Sequence, residues 1–296
     1  METTEGLRNR MRTADELHSV VRTMKALAAV SIRQYERAVE ALHAYNRTVE
    51  LGFQVLVRRR PEAVVQAAPE DDGAAVAIVF GSDQGMCGPL NREIAEHATA
   101  WFDHARVPAE ERFVAAVGGR VAPELEGTGQ AVADTFALPS SVSGLVGGAE
   151  DVLLAIERWR KERDIARVTL FHHRPLAGAA YQPRTVPLLP IDADWLRDLG
   201  RHRWPTVMLP TFTMDWDRLF TSLVRQYLFG ALFRAFAESL ASENASRLAS
   251  MQAAEKNIEE RIDQLRLQFH QRRQSAITEE LLDVVAGFEV LSQEGA

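Results

Sequence analysis

The sequence predicts an α/β fold, in which a Rossmann-like α/β domain is inserted between two long terminal helices forming an antiparallel coiled coil. Three observations carry this. All 12 prolines lie between Pro61 and Pro210, so neither chain end contains the residue that breaks helix interiors. Apolar residues recur in heptads at both ends. Short apolar runs alternate with helix-like stretches only in the middle. The predicted segments are 1–60, 61–210 and 211–296.

The first helix is read from every seventh residue. Leu7, Ala14, Val21, Ala28, Tyr35, Leu42, Val49 and Leu56 are all apolar or aromatic. Met11, Leu17, Met24, Ile32, Val39 and Phe53 accompany them. Small seam residues (Ala14, Ala28, Ala38) predict close helix approach. As one helix, residues 4–59 would run on the order of 80 Å at ~1.5 Å per residue. The alternative is two helices broken at Gly52.

The middle segment predicts strands over Ala74–Phe80, Phe113–Val117, Ala131–Leu138, Arg167–His172 and Tyr181–Leu189. Helices are expected over Leu90–His104 and Gly148–Asp164. This alternation points to mainly parallel strands. The last helix should start after Pro210, with Thr213 or Asp215 as N-cap. Between 216 and 240, Trp216, Phe220, Leu223, Tyr227, Leu228, Leu232 and Phe236 cover most of the circumference, which predicts burial on several sides. A seam of Ile258, Ile262, Leu265 and Phe269 follows. It is interrupted at Arg272, Arg273 and Gln274, then resumes at Ile277, Leu281, Val284, Phe288 and Leu291.

Composition narrows the function classes. The chain is 46% hydrophobic and 25% charged, with a formal charge of -7. That is a soluble globular composition, and its acidity argues against a nucleic-acid partner. The one cysteine, Cys87, forms no internal disulfide, and no Cys/His cluster has metal-ligand spacing. No apolar run reaches the ~18–20 residues of a membrane span, so no direct membrane insertion is expected. The first residues contain no apolar secretion signal, and Glu2, Glu5, Asp15 and Glu16 argue against a transit peptide. A mature start near Met1 and a cytosolic location are the expectations.

The stretch Phe80-Gly-Ser-Asp-Gln-Gly-Met-Cys-Gly-Pro-Leu-Asn91 is the most suggestive place for chemistry. A strand, a glycine-rich turn and a helix make the setting of phosphate-binding loops. Yet Gly88 is followed by Pro89 rather than Lys, and Asp83 adds negative charge where an anion should sit. A structural turn is favoured, with Gly81, Gly85 and Gly88 shaping the backbone and Pro89 starting the helix. A nucleophile at Ser82 or Cys87 lacks a base tied to it by spacing, although His97, His104, His172 and His173 occur nearby in sequence. His172 and His173 alternate on a strand, so one is expected packed and the other solvated. Arg197, Arg201 and Arg203, between Trp195 and Trp204, are read as a surface loop. Arg273, Gln274, Thr278 and Glu280 line neighbouring turns of the last helix, on an end expected to protrude with Ile277, Leu281 and Val284 bare. That predicts an interaction surface.

These residues carry a family resemblance. Ala276-Ile-Thr-Glu-Glu-Leu-Leu-Asp-Val-Val-Ala-Gly287 resembles the C-terminal signature of the gamma subunit of F-type ATP synthases, with Ile277, Thr278, Glu280, Asp283 and Gly287 in register. Ala241–Met251 is similar to the family's "ASE-x-A-x-R-x-x-A-M" run through Arg247 and Met251, and Asn257 fits too. The glycine-rich stretch resembles "TSDRGLCGGLN", and Thr23-Met-Lys-Ala-Leu-Ala-Ala29 resembles "AMKMVAA". Residues 13–22, Pro89, Phe288 and Val290 depart from the pattern, as in a divergent bacterial branch.

The resemblance implies a central stalk that couples ion flow through a membrane c-ring to catalytic sites on beta subunits. It implies alpha, beta and epsilon subunits and the c-ring as partners, at the cytoplasmic face of the membrane, with no cofactor and no catalysis by the chain itself. It places Met24, Lys25, Arg247, Arg273, Gln274 and Thr278 near the contact with beta, and Glu280 and Asp283 on the neighbouring face of the shaft. The alternatives are a stand-alone nucleotide-binding α/β enzyme with helical arms and a coiled-coil scaffold.

Overall fold

The computed structural model describes residues 3–62, 74–163, 165–176, 179–208 and 210–294, without the side chains of 110 and 286–294. The elements are α1 (Thr4–Arg59), β1 (Ala74–Phe80), α2 (Leu90–His104), β2 (Arg112–Val117), α3 (Val121–Gly127), β3 (Val132–Phe136), α4 (Leu145–Arg163), β4 (Ile165–Pro175), β5 (Tyr181–Leu189), α5 (Ala193–Arg201) and α6 (Trp216–Glu294). The chain divides into two compact units, Ala28–Leu248 and Met1–Leu27 with Ala249–Ala296.

The Ala28–Leu248 unit is built on a five-stranded sheet of order β3-β2-β1-β4-β5. β1 pairs in parallel with β2 and β4, β2 pairs in parallel with β3, and β4 pairs with β5 antiparallel. β1 is buried at every residue after Ala74, which is why its sequence is a continuous apolar run. Its side chains alternate between two layers. Val76, Ile78 and Phe80 join α4 and α6 through Leu145, Val152, Trp159, Phe236 and Leu240. Ala75, Ala77 and Val79 join α2 and α3 through Ile94, Phe102, Val121 and Leu125. Helices therefore cover both faces, as a mostly parallel sheet requires. A third cluster sets Val49, Phe53 and Val57 of α1 against Leu196 and Leu199 of α5.

α1 is one helix of 56 residues, and α6 one of 79. Gly52 does not break α1. It is a point of close approach, since a Cβ there would lie 2.7 Å from Leu223 Cδ2 of α6. Gly230 does the same from the other side, 2.6 Å from Asn46 Oδ1. Asp215, not Thr213, caps α6, its Oδ2 accepting from the backbone N–H of Asp217 at 3.1 Å and Arg218 at 3.4 Å.

In the Met1–Leu27 and Ala249–Ala296 unit, Leu7 packs at 2% exposure, and the Arg8 guanidinium lies 5.6 Å from the Phe269 ring centre. Ile262 and Leu265 are buried, and Ile258 and Phe269 half-buried. Beyond Phe269 none of the described α6 side chains is buried. Ile277, Leu281 and Val284 are accordingly 48%, 61% and 59% exposed. The Phe288 and Leu291 side chains lie outside the described residues.

Candidate functional site

The glycine-rich turn leaves β1 and enters α2 at Leu90, just after Pro89. Its geometry decides between cradle and plain turn. Asn91 Oδ1 accepts from the Ser82 backbone N–H at 2.8 Å, and Asn91 Nδ2 donates to Ser82 Oγ at 2.8 Å. Asp83 accepts from the backbone N–H of Gly119 at 2.6 Å and of Leu138 at 2.7 Å. The Ser82 N–H of the turn, and the Gly119 and Leu138 N–H groups of two other loops, are thus held by the protein's own side chains.

The three glycines differ in role. Gly81 sits where a Cβ would lie 2.4 Å from Val121 Cβ, so no side chain fits. Gly88 has φ +57°, the left-handed region that favours glycine. Gly85 is ordinary, its nearest neighbour being Arg120 Cζ at 3.4 Å. Cys87 is 3% exposed, with Ser82 Oγ at 3.4 Å, Gln84 O at 3.6 Å and Asn91 Nδ2 at 3.8 Å from its sulfur. None of these groups is a base, so the thiol is a packed small side chain.

α6 closes over this turn with a buried polar stripe that sequence reasoning missed. Ser246 Oγ donates to the Cys87 carbonyl at 2.6 Å, and Tyr181 Oη lies 3.2 Å from Ser246 Oγ. Arg247 pairs with Glu243 at 2.5 Å and donates to the Gly85 carbonyl at 3.5 Å. Burial raises the Glu243 carboxyl, with the Asp83 charge adding to it, while Arg247 pulls the other way. Glu238 accepts from His172 Nε2 at 2.9 Å and from Arg184 Nη1 at 3.4 Å. Burial opposes ionisation of Glu238, yet the His172 hydrogen bond and the charges of Arg184 and Arg234 hold it below the usual carboxylate range. The available signal was spacing. Glu238, Ser242 and Ser246 form one row four apart, and Ser239, Glu243 and Arg247 the next, within an otherwise apolar stretch.

His172 and His173 are both buried, at 2% and 0% exposure, where one solvated ring was expected. The sheet is covered on both faces, so alternation moves a side chain between two interiors. Burial lowers the basicity of His172. Burial, with the charges of His172 and His97, pushes His173 down to about 3. The Arg197 and Arg201 cluster is the solvent face of α5, not a loop, each pairing three residues back with Asp194 at 2.5 Å and Asp198 at 3.3 Å. Trp195 turns inward onto Tyr227 at 5.3 Å between ring centres.

The remaining predicted contact residues divide in two. Met24 and Lys25 are half-buried on α1, and Lys25 pairs with Glu255. That pair, with the His18 hydrogen bond to Glu259 at 3.3 Å, ties α1 to α6 in the unit holding both chain ends. Arg247 belongs instead to the turn described above. Arg273, Gln274, Thr278, Glu280 and Asp283 all lie exposed on the far end of α6. Thr278 Oγ1 donates to the Gln274 carbonyl at 2.9 Å, so the two share one patch of helix surface.

The sequence pattern of the ATP synthase family matches residues 3–291. Two curated relatives, both named ATP synthase gamma chain, come from a Polaromonas species and from Verminephrobacter eiseniae. They are 25% and 24% identical over 286 residues, covering 95% of this chain and 96% of each relative. Among solved structures, the rotor of the Euglena gracilis mitochondrial ATP synthase matches at TM-score 0.60 and 14% identity, covering 93% of this chain and 98% of its own. The central stalk of the Tetrahymena thermophila mitochondrial enzyme matches at TM-score 0.55 and 16% identity, covering 79% and 99%.

Proposed function

Because the chain belongs to the ATP synthase family, as its gamma subunit and central stalk, we propose that it works as a rotor shaft, coupling ion flow through a membrane c-ring to conformational change at catalytic sites on beta subunits. The gamma subunit is a non-catalytic part of the complex. The observation that carries the proposal is the end of α6. Ile277, Leu281, Leu282, Val284 and Val285 are each about half exposed or more on a continuous helix. In water such a stripe is a liability; inside a ring of partner subunits it is a bearing surface.

Arg273, Gln274 and Thr278 are the side chains assigned to beta, Glu280 and Asp283 to the adjoining face, and Met24 and Lys25 to the neighbouring contact region, whereas Arg247, buried against Glu243, serves the glycine-rich turn. Alpha and beta subunits surround the helical segments 1–60 and 211–296, and segment 61–210 meets epsilon and the c-ring. The complex sits at the cytoplasmic face of a bacterial membrane, with this subunit peripheral; among the described residues, no helix is long and apolar enough to cross a membrane. The reading as a stand-alone nucleotide-using enzyme is weakened at the glycine-rich turn, where Asn91 holds the Ser82 N–H and Asp83 adds a carboxylate where an anion would sit.

Two experiments test the proposal. Tagged protein from its native host should co-purify with alpha and beta subunits, and their absence would sink the shaft reading. Gln274→Leu with Thr278→Val should lower coupled ATP hydrolysis of the assembled complex while leaving the isolated chain folded. Unchanged coupling would remove those two side chains from the contact.

A further inference from the structure

The Ala28–Leu248 unit holds a cavity of about 490 Å³ that plays no part in the shaft mechanism. Three arginines from three elements line it: Arg47 of α1, Arg184 of β5 and Arg234 of α6. The Arg234 Nε is buried without a hydrogen-bond partner. His172 lines the same cavity at 2% exposure, and its Nδ1 has none either. Buried polar atoms are almost always satisfied, so unpartnered ones at a cavity wall point to an absent ligand. We propose that this cavity is an anion site for hydrogen phosphate or a phosphate monoester.

The chemistry of the wall selects that class. Glu50 lines the cavity and Glu238 lies behind His172, so two of the three positive charges are offset and a positive excess remains. Guanidinium groups match oxyanions through paired N–H donors. Glu238 is ionised and can only accept, so the His172 Nε2 carries the proton of their 2.9 Å hydrogen bond. Nδ1 of the neutral ring is then an acceptor. Burial disfavours the charged ring, so the neutral form favours an anion that brings its own O–H. Hydrogen phosphate and phosphate monoesters in their monoanionic form do; sulfate and carboxylates do not. Trp195 and Tyr227, also in the wall, form an apolar side against which the organic part of a monoester fits.

The site lies within one compact unit, so the inference stands apart from the shaft proposal. Calorimetric titration of the full-length chain with inorganic phosphate, phenyl phosphate and sulfate, at matched ionic strength, tests it. Saturable binding of phosphate is expected, with sulfate weaker. Tighter binding of phenyl phosphate would identify a monoester as the ligand, and equal or weaker binding free phosphate. Arg47→Ala and Arg234→Ala should each weaken phosphate at least about tenfold, the scale of a charge-assisted hydrogen bond. Arg47 is exposed on α1, so its variant stays informative if the more buried Arg234→Ala variant unfolds. No saturation, equal sulfate and phosphate affinity, or unchanged affinity in the Arg47→Ala variant would overturn the site.

Discussion

At the scale of single residues, close approach separates glycines that sequence treats alike. Gly81→Ala should destabilise the chain by roughly 2–4 kcal/mol, because its methyl group meets the Val121 side chain and Asn91 Oδ1 in a packed turn. Gly88→Ala should cost about 1–2 kcal/mol for its left-handed backbone. Gly85→Ala should cost less than about 1 kcal/mol. Denaturant unfolding of the three variants checks the order. The two buried histidines make a second prediction. Their folded-state affinity for protons is depressed, so the unfolded chain takes up more protons below about pH 6.5, the ordinary histidine value. The contribution of these two rings to stability should fall as pH drops from about 6.5, with that of His173 levelling off near 3, where it titrates in the fold. His173→Phe, measured by thermal unfolding at pH 7 and pH 5, should flatten that slope; an unchanged slope would assign it to other groups. The residue types in the turn were legible, but their hydrogen-bond partners were not. Nothing in the order Gly-Ser-Asp shows that Asn91, eight residues past Asp83, will hold the Ser82 N–H.

At the scale of elements, the heptad reading held where a partner helix exists. Leu7, Ala28, Tyr35, Leu42, Val49 and Leu56 are all buried, and Ala14 and Val21 half-buried. Leu17, taken as a companion, is 53% exposed because it sits off the face that meets α6. The same periodicity on α6 spans two situations. Leu265→Ala should cost the isolated chain about 2–4 kcal/mol, since Leu265 is 3% exposed. Leu281→Ala should cost less than about 0.5 kcal/mol, being 61% exposed, and show its effect only in the assembled complex. Thermal unfolding of the two variants separates them. Periodicity reports that a face is apolar, not whether another helix covers it. The two short helices escaped for a different reason. α3 has seven residues and α5 nine, too few for a repeat to stand out. α5 is recognisable afterwards from Asp192, which accepts from the Asp194 N–H at 2.8 Å and caps it.

At the scale of the whole molecule, apolar periodicity within the proline-free ends predicted the two long helices, and the alternating middle predicted the sheet. β5 carries Pro183 and Pro187 and pairs on one side only, as an edge strand tolerates. The exposed end of α6 gives a prediction for the assembly. Deleting residues 274–296 should shift the melting temperature of the isolated chain by less than about 4 °C, because the described side chains among them, 274–285, are all exposed. It should abolish coupled ATP hydrolysis by the complex. A large loss of stability would show that the segment folds back on the chain, and intact coupling would show that torque enters elsewhere. Asp83 has a consequence beyond the turn it closes. Its carboxylate accepts backbone N–H groups from the loops after β2 and β3, so one side chain of the β1 turn ties three neighbouring strand ends together. Three separate loops are thereby joined into one rim along that edge of the sheet, held by a single carboxylate.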